Sequence, residues 1–162
     1  MPIPTALNAD RFRLPLGSGI LTAALDTTDV PDDGYYNASD FGAEQDFGDG
    51  PTYHLGEDWN GEGGGDTDLG DPVYAIANGV VVAVVDDQGS ASTGFGNYVV
   101  VRHDLAEPIT VDGQTVTHVH SLYAHLEVAA YGGNPATPIS VGDAIGIGEE
   151  IGTLGSSGFA EL

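Results

Sequence analysis

Residues 53–61 read YHLGEDWNG and place His54 four positions before Asp58. Imidazole nitrogen and carboxylate oxygen are zinc ligands, and a chain without cysteine has no thiolate to offer instead. A straight strand would separate the two residues by about 13 Å. A helix would put them on one face, but Gly56 disfavours a helix here. A bend at Gly56 would bring the side chains together, so the segment is either half of a metal site or a polar turn.

Four further histidines lie later in the chain. His118 and His120, in THVHS, are two positions apart, so on a strand they would point to one face about 7 Å apart and could chelate a metal. His125, in SLYAHL, would point to the opposite face from both unless a bulge intervenes. A half-exposed side chain at a strand end is the simpler interpretation of His125. His103, in VVVRHDL, is predicted to be the exposed end of a strand.

The glycine-rich stretch NGEGGGDTDLGDP (60–72) is the other segment whose residue types could form a binding site. It contains no lysine and carries four acidic residues, which excludes a phosphate-binding loop. A calcium site remains open, although the spacing does not match the helix–loop–helix pattern. A solvated loop is the alternative. The four carboxylates are those of Glu62, Asp66, Asp68 and Asp71.

The elements that position these residues are of the β type. From residue 70, short valine-, isoleucine- and tyrosine-rich runs are separated by glycine, and no segment has a sustained helical period. The sequence therefore predicts a mainly β fold with antiparallel sheets and with the 25 glycines at its corners. Residues 1–49 are rich in turn formers and are predicted to be a loop-rich segment before a β domain at 50–162.

A faint internal repeat is visible in this β region. LGDPVYAIANGVVVAV (69–84) and VGDAIGIGEEIGTLG (141–155) share a Gly-Asp opening, a hydrophobic run and a later glycine before a second β run. Such a half-repeat would place two similar hairpin units around one core. Chance similarity in a glycine-rich β protein is the alternative.

Charge is the strongest compositional signal. The 162-residue chain has 25 acidic residues, three arginines and no lysine, which gives a net charge of −22. Nucleic acid and anionic membrane surfaces are therefore excluded as partners, because binding them needs basic contacts. The longest apolar stretch (73–85) is interrupted and too short to span a bilayer, and no signal peptide is visible. With so few arginines to pair with, few carboxylates are expected to be buried. The metal-site interpretation makes Asp58 an expected exception, because a ligand faces its metal.

Several motifs together resemble a known family. YHLGEDWNG, LGDPVYAIANGVVVAV, GFGNYVVVRHD, SLYAHL and VGDAIGIGEEIGTLGSSG follow one another in the order found in lysostaphin/LytM-type zinc endopeptidases. The resemblance implies that His54 and Asp58 bind Zn²⁺ and that His125 assists catalysis. It also implies the duplicated hybrid motif, an antiparallel β fold with a long groove. The implied reaction is hydrolysis of peptide bonds in bacterial peptidoglycan, in an extracellular or periplasmic location.

The sequence departs from that family at one point. The family's final H-x-H motif follows a G-S-[ST]-G turn and supplies the third zinc ligand, but this sequence ends GSSGFAEL with no histidine after His125. We favour a C-terminally truncated active enzyme. A non-catalytic module that binds peptidoglycan or regulates a hydrolase stays open, as does substitution by His118 and His120. The 162 residues alone are expected to bind zinc weakly and to be nearly inactive.

Overall fold

The computed structural model of the protein describes residues 8–17, 34–46, 50–86 and 94–158. Within these ranges it contains ten β-strands and one short 3-10 helix at Tyr131–Gly133, and all strand pairs are antiparallel. The predicted mainly β, antiparallel class is confirmed. The chain divides into one compact unit of Met1–Leu21 with Leu69–Leu162 and a second of Thr22–Asp68. The predicted division into 1–49 and 50–162 stays a prediction.

The Thr22–Asp68 unit contains two small sheets among its described residues. β1 (Tyr35–Ser39) pairs with β4 (Asp58–Gly61), and β2 (Glu44–Asp46) pairs with β3 (Pro51–Tyr53). Two of these strands therefore lie inside the segment predicted to be loop-rich. They are only five and three residues long, too short for a clear period-2 pattern to stand out among turn formers.

The other unit is built on one six-stranded sheet. Its strand order is β5-β10-β8-β7-β6-β9, with the bounds β5 Pro72–Tyr74, β6 Gly79–Val85, β7 Asn97–Val111, β8 Gln114–Val128, β9 Ala144–Ile145 and β10 Glu150–Leu154. The order reads the same from both edges if β5 is matched with β9, β10 with β6 and β8 with β7. The two halves of the predicted repeat supply these matched strands: β5 and β6 come from 69–84, and β9 and β10 from 141–155. Neither half forms the hairpin unit that the repeat predicted, because β5 pairs with β10 and β6 pairs with β9, across the two halves.

The core of this sheet follows the alternation of side chains along β7. Asn97, Val99, Val101 and His103 are buried, while the residues between them are at least partly exposed. Valine suits such strands because its branched side chain packs well on a pleated surface. Buried residues from the other strands of the sheet complete the core, among them Val73, Val81, Tyr123, Leu126, Ile145 and Ile151.

The β7–β8 hairpin carries four of the five histidines. Asp112 and Gly113 connect its strands with positive φ angles of 48° and 78°, as the two-residue hairpin turns that match strand twist require. The resulting register sets Asp104 opposite His118 and Arg102 opposite His120.

His103 corrects a prediction, because it is fully buried rather than the exposed end of a strand. Its Nδ1 lies 2.9 Å from the Asn78 carbonyl oxygen, which can only accept, so Nδ1 carries the proton. Nε2 lies 2.8 Å from the Ser121 hydroxyl oxygen. The sequence predicted a strand that ends near residue 104. In the structure, β7 continues to Val111, and His103 lies on its core face.

The pH dependence of stability should report this burial. Burial lowers the pKa of His103; the Asn78 hydrogen bond opposes that shift, and the charge of His120 adds to it. The unfolded chain therefore takes up the proton more readily. The stabilising contribution is complete above the ordinary pKa of about 6.5 and is lost as pH falls through the folded-state value.

We expect the free energy of unfolding by urea to fall more in the wild type than in His103→Gln between about pH 7 and about pH 5. His118→Gln, on the neighbouring strand, is the control and should lose as much as the wild type. Equal losses of unfolding free energy in the wild type and in His103→Gln would contradict a lowered pKa of His103 in the folded protein.

Carboxylate side chains in the described part of the chain are mostly exposed or half-buried. Among the described residues the buried polar or charged side chains are those of Asn97 and His103, which confirms that few carboxylates are buried. The described part of the chain has no helix long and apolar enough to cross a membrane.

Candidate metal centre and catalytic histidine

His54 follows directly after β3, and hydrogen bonds hold its main chain on both sides. Its N–H donates to the Ala43 carbonyl oxygen (2.9 Å), and its own carbonyl oxygen accepts the N–H of Gly42 (2.7 Å). These bonds extend the β2–β3 pairing beyond Tyr53, whose partner is Glu44. The imidazole of His54 therefore projects from a backbone that is well anchored.

Asp58 begins β4 and is brought back to His54 by a bend at Gly56. Pairing with Ser39 of β1 fixes its backbone position. Nε2 of His54 lies 3.2 Å from Oδ1 of Asp58, whereas a straight strand would hold the two residues about 13 Å apart. Of the arrangements that the sequence left open, the structure has the bent one.

Ser39 makes a further contact with His54 that sequence reasoning missed. Its hydroxyl oxygen lies 3.3 Å from Nδ1 of the imidazole. With Nδ1 directed to the hydroxyl, Nε2 is the ring nitrogen that faces the carboxylate. Partners on the far nitrogen orient metal-binding histidines in this way. The two residues are fifteen positions apart, so only strand pairing brings them together.

The exposure of this pair corrects one expectation. The Asp58 side chain is 51% exposed and that of His54 is 20% exposed, so Asp58 is not a buried carboxylate. It nevertheless points at the imidazole. A carboxylate at the surface of a short two-stranded sheet keeps its water and avoids the desolvation that burial would require.

The donor atoms of this pair fit part of a zinc site. Nitrogen from histidine and oxygen from aspartate are zinc ligands, but a catalytic zinc takes about three protein ligands and leaves one position open. The described residues contain no group of three or more histidine, aspartate or glutamate side chains that could hold a metal. His54 and Asp58 therefore offer two side-chain donor atoms of the kind that zinc takes.

His125 lies at an irregularity in β8 and has a φ of 57°. The register changes between the pairs Val99↔Tyr123 and Asn97↔Leu126, so one extra residue is inserted in β8 at this point. Nδ1 of His125 lies 2.8 Å from the Ser157 carbonyl oxygen. A carbonyl only accepts, so Nδ1 is protonated and Nε2 of the neutral ring is left with a lone pair.

Ser157 and Asn97 hold this irregularity in place, and sequence reasoning missed both. The Ser157 hydroxyl donates to the Leu126 carbonyl oxygen (2.7 Å) and accepts the N–H of Asn97 (2.9 Å). The buried Asn97 amide donates to the same carbonyl (3.1 Å) and to that of Glu127 (3.2 Å). The sequence signal that could have indicated this network is an asparagine at the start of a valine-rich run, because a polar side chain buried there needs hydrogen-bond partners.

Comparison with known proteins assigns the family. The sequence model of peptidase family M23 matches residues 52–161, a range that contains His54, Asp58 and His125. The chain belongs to peptidase family M23. No curated protein and no solved structure matches the chain. M23 membership places the protein among peptidases of a family that usually binds zinc and acts on the cell wall.

Unbroken alternation along β8 predicted that His125 would point to the opposite face from His118 and His120. In this M23 domain the alternation is interrupted before His125, because residues 124 and 125 together oppose Tyr98. The rings of His118 and His120 lie side by side, with centroids 5.4 Å apart.

The glycine-rich loop gives no support to the calcium alternative. Asp68 uses Oδ2 to accept the N–H of Gly61 at 2.7 Å. Glu62 and Asp66 are exposed, and no three acidic side chains of the described loop form a metal-binding group. The arrangement is that of a solvated loop closed by one carboxylate.

Proposed function

We propose that this chain is a zinc-dependent endopeptidase domain that hydrolyses peptide bonds of bacterial peptidoglycan, in an extracellular or periplasmic location. The observation that carries the proposal is the convergence of His54 Nε2 and Asp58 Oδ1 at 3.2 Å within the range that matches family M23. The net charge of −22 supports a peptide substrate over nucleic acid, because a polyanion would be repelled.

The proposal assigns the zinc to His54 and Asp58. A bound zinc ion polarises the scissile carbonyl and lowers the pKa of a water molecule. His54 can present Nε2 to a metal because Nδ1 is directed to the Ser39 hydroxyl. Asp58 supplies an anionic oxygen beside that nitrogen.

His125 is assigned the proton-handling role. Its Nδ1–H donates to the Ser157 carbonyl oxygen, which fixes the ring orientation and leaves Nε2 to accept or return a proton. Protonated at both nitrogens, the ring would donate a hydrogen bond to the oxygen on which negative charge develops.

The ligand count favours a second candidate function. With two ligands from the 162 residues, a module of the same fold could bind peptidoglycan without cutting it, or regulate a separate hydrolase. Such a module would sediment with insoluble peptidoglycan equally well with and without a chelator, and would release no soluble peptide from it.

Zinc affinity tests the ligand assignment. We expect the chain to bind zinc weakly. In a His118→Gln/His120→Gln background, which removes the other histidine pair, His54→Ala and Asp58→Ala should each weaken binding by about 10-fold or more, in competition with a chromophoric chelator. Glu57→Ala removes the same charge next to Asp58 and is the matched control. If Glu57→Ala weakens binding as much as Asp58→Ala, the effect is one of net charge and the proposed site is wrong.

A further inference from the structure

His118 and His120 form a pair that the proposed peptidase does not use. They lie on β8 with the spacing that puts alternate side chains on one face. Their ring centroids are 5.4 Å apart and their planes nearly perpendicular, at 87°. His120 is exposed and His118 is half-buried, so solvent ions can reach the pair.

This separation suits two imidazoles on one metal ion. With metal–nitrogen bonds of about 2.1 Å, ring centres would lie roughly 4.6 Å apart at a right angle and roughly 5.3 Å apart at a tetrahedral angle. The observed 5.4 Å matches the tetrahedral value, and small side-chain rotations reach the other. Thr117 Oγ1 lies 3.4 Å from Nδ1 of His118, which leaves Nε2 of that ring to bind.

The surrounding charges also favour a cation. Arg102 and Asp104 lie opposite His120 and His118 on β7, and the guanidinium of Arg102 is paired with the Asp104 carboxylate at 2.8 Å. The nearest fixed positive charge is therefore neutralised locally. The chain's net charge of −22 raises the concentration of cations at its surface.

We propose that His118 and His120 form a two-histidine surface site for a late divalent transition-metal ion, independent of His54 and Asp58. Imidazole suits copper, nickel and zinc, and affinity for nitrogen ligands is greatest for Cu²⁺ in the divalent series. Water completes the coordination, since no third metal-ligand side chain joins the pair among the described residues. Binding requires neutral imidazoles and so weakens in acid.

Titration with Cu²⁺, followed by calorimetry and by electron paramagnetic resonance, tests the site. The wild-type spectrum should carry the signature of two imidazole nitrogens. His118→Gln and His120→Gln should each weaken the binding roughly 100-fold, because either change removes the chelate. His54→Gln, which removes a ligand of the other proposed site, should leave the two-imidazole spectral signature unchanged.

A spacing control separates chelation from histidine content. The double variant Thr117→His/His118→Thr keeps both histidines but moves one to a neighbouring exposed position on the other face of the strand. It should bind Cu²⁺ as weakly as His118→Gln. Wild-type affinity in this double variant, or in both single variants, would overturn the proposal.

Discussion

A version of the chain lengthened beyond Leu162 by a segment carrying His-x-His is expected to hydrolyse peptidoglycan about 100-fold faster or more than the 162-residue chain. The physical reason is the ligand count. In the proposed site, His54 and Asp58 would supply two of the three protein ligands that a catalytic zinc needs, so the ion would be held weakly until a third is present. Release of soluble peptide from insoluble peptidoglycan measures the effect.

Two controls make this comparison specific. The same extension with glutamine in place of both histidines should give no gain, and His54→Ala in the lengthened chain should abolish it. If the 162-residue chain itself releases peptide at the lengthened chain's rate and a chelator stops it, a substitute ligand exists. His120 would then be the first candidate, and our count of two ligands would be wrong.

Gly96→Ala is expected to destabilise the protein by about 2–4 kcal/mol. Gly96 has a φ of 59°, in the left-handed region, and a Cβ there would overlap the backbone carbonyl group of Ser157. That carbonyl accepts from Nδ1 of His125, so the added methyl should also displace His125. Urea unfolding measures the first effect, and the ¹⁵N shifts of the His125 ring measure the second.

Gly94→Ala is the matched control for this substitution. Gly94 has nearly the same φ, 62°, but no atom lies within 4 Å of the point that an added methyl group would occupy. The Gly94→Ala substitution should therefore lower the free energy of unfolding only by the cost of a left-handed alanine backbone, about 1 kcal/mol. The ¹⁵N signals of His125 should not move. Equal losses in the two variants would contradict the close packing of Ser157 on Gly96.

The antiparallel sheet was predictable from the sequence, but the pairing of its outer strands was not, because β5 pairs with β10 and β6 with β9 rather than within the predicted hairpin units. Runs of valine with glycine between them predicted antiparallel strands, and the half-repeat at 69–84 and 141–155 supplies the matched outer strands of the sheet. The contact between His54 and Asp58 required only one local bend at Gly56, so it could be anticipated as one of a few arrangements.

The remaining features depend on partners distant in sequence. The burial of His103 follows from how far β7 continues and from the Ser121 hydroxyl across the strand pair. The bulge at His125 follows from its hydrogen bond with Ser157, 32 positions away. The alternation of side chains along a strand depends only on neighbouring residues. It therefore predicts neither the burial of His103 nor the bulge at His125.

X-ray absorption at the zinc edge of the zinc-loaded chain tests the central claim most directly. The His118→Gln/His120→Gln background leaves the proposed peptidase site as the one under observation. If His54 and Asp58 hold the zinc, the spectrum should show scattering from an imidazole, with nitrogen and oxygen ligands at about 2.0–2.1 Å. The imidazole signal should be lost in His54→Ala. An imidazole signal that persists unchanged in His54→Ala would contradict the assignment of zinc to His54 and Asp58.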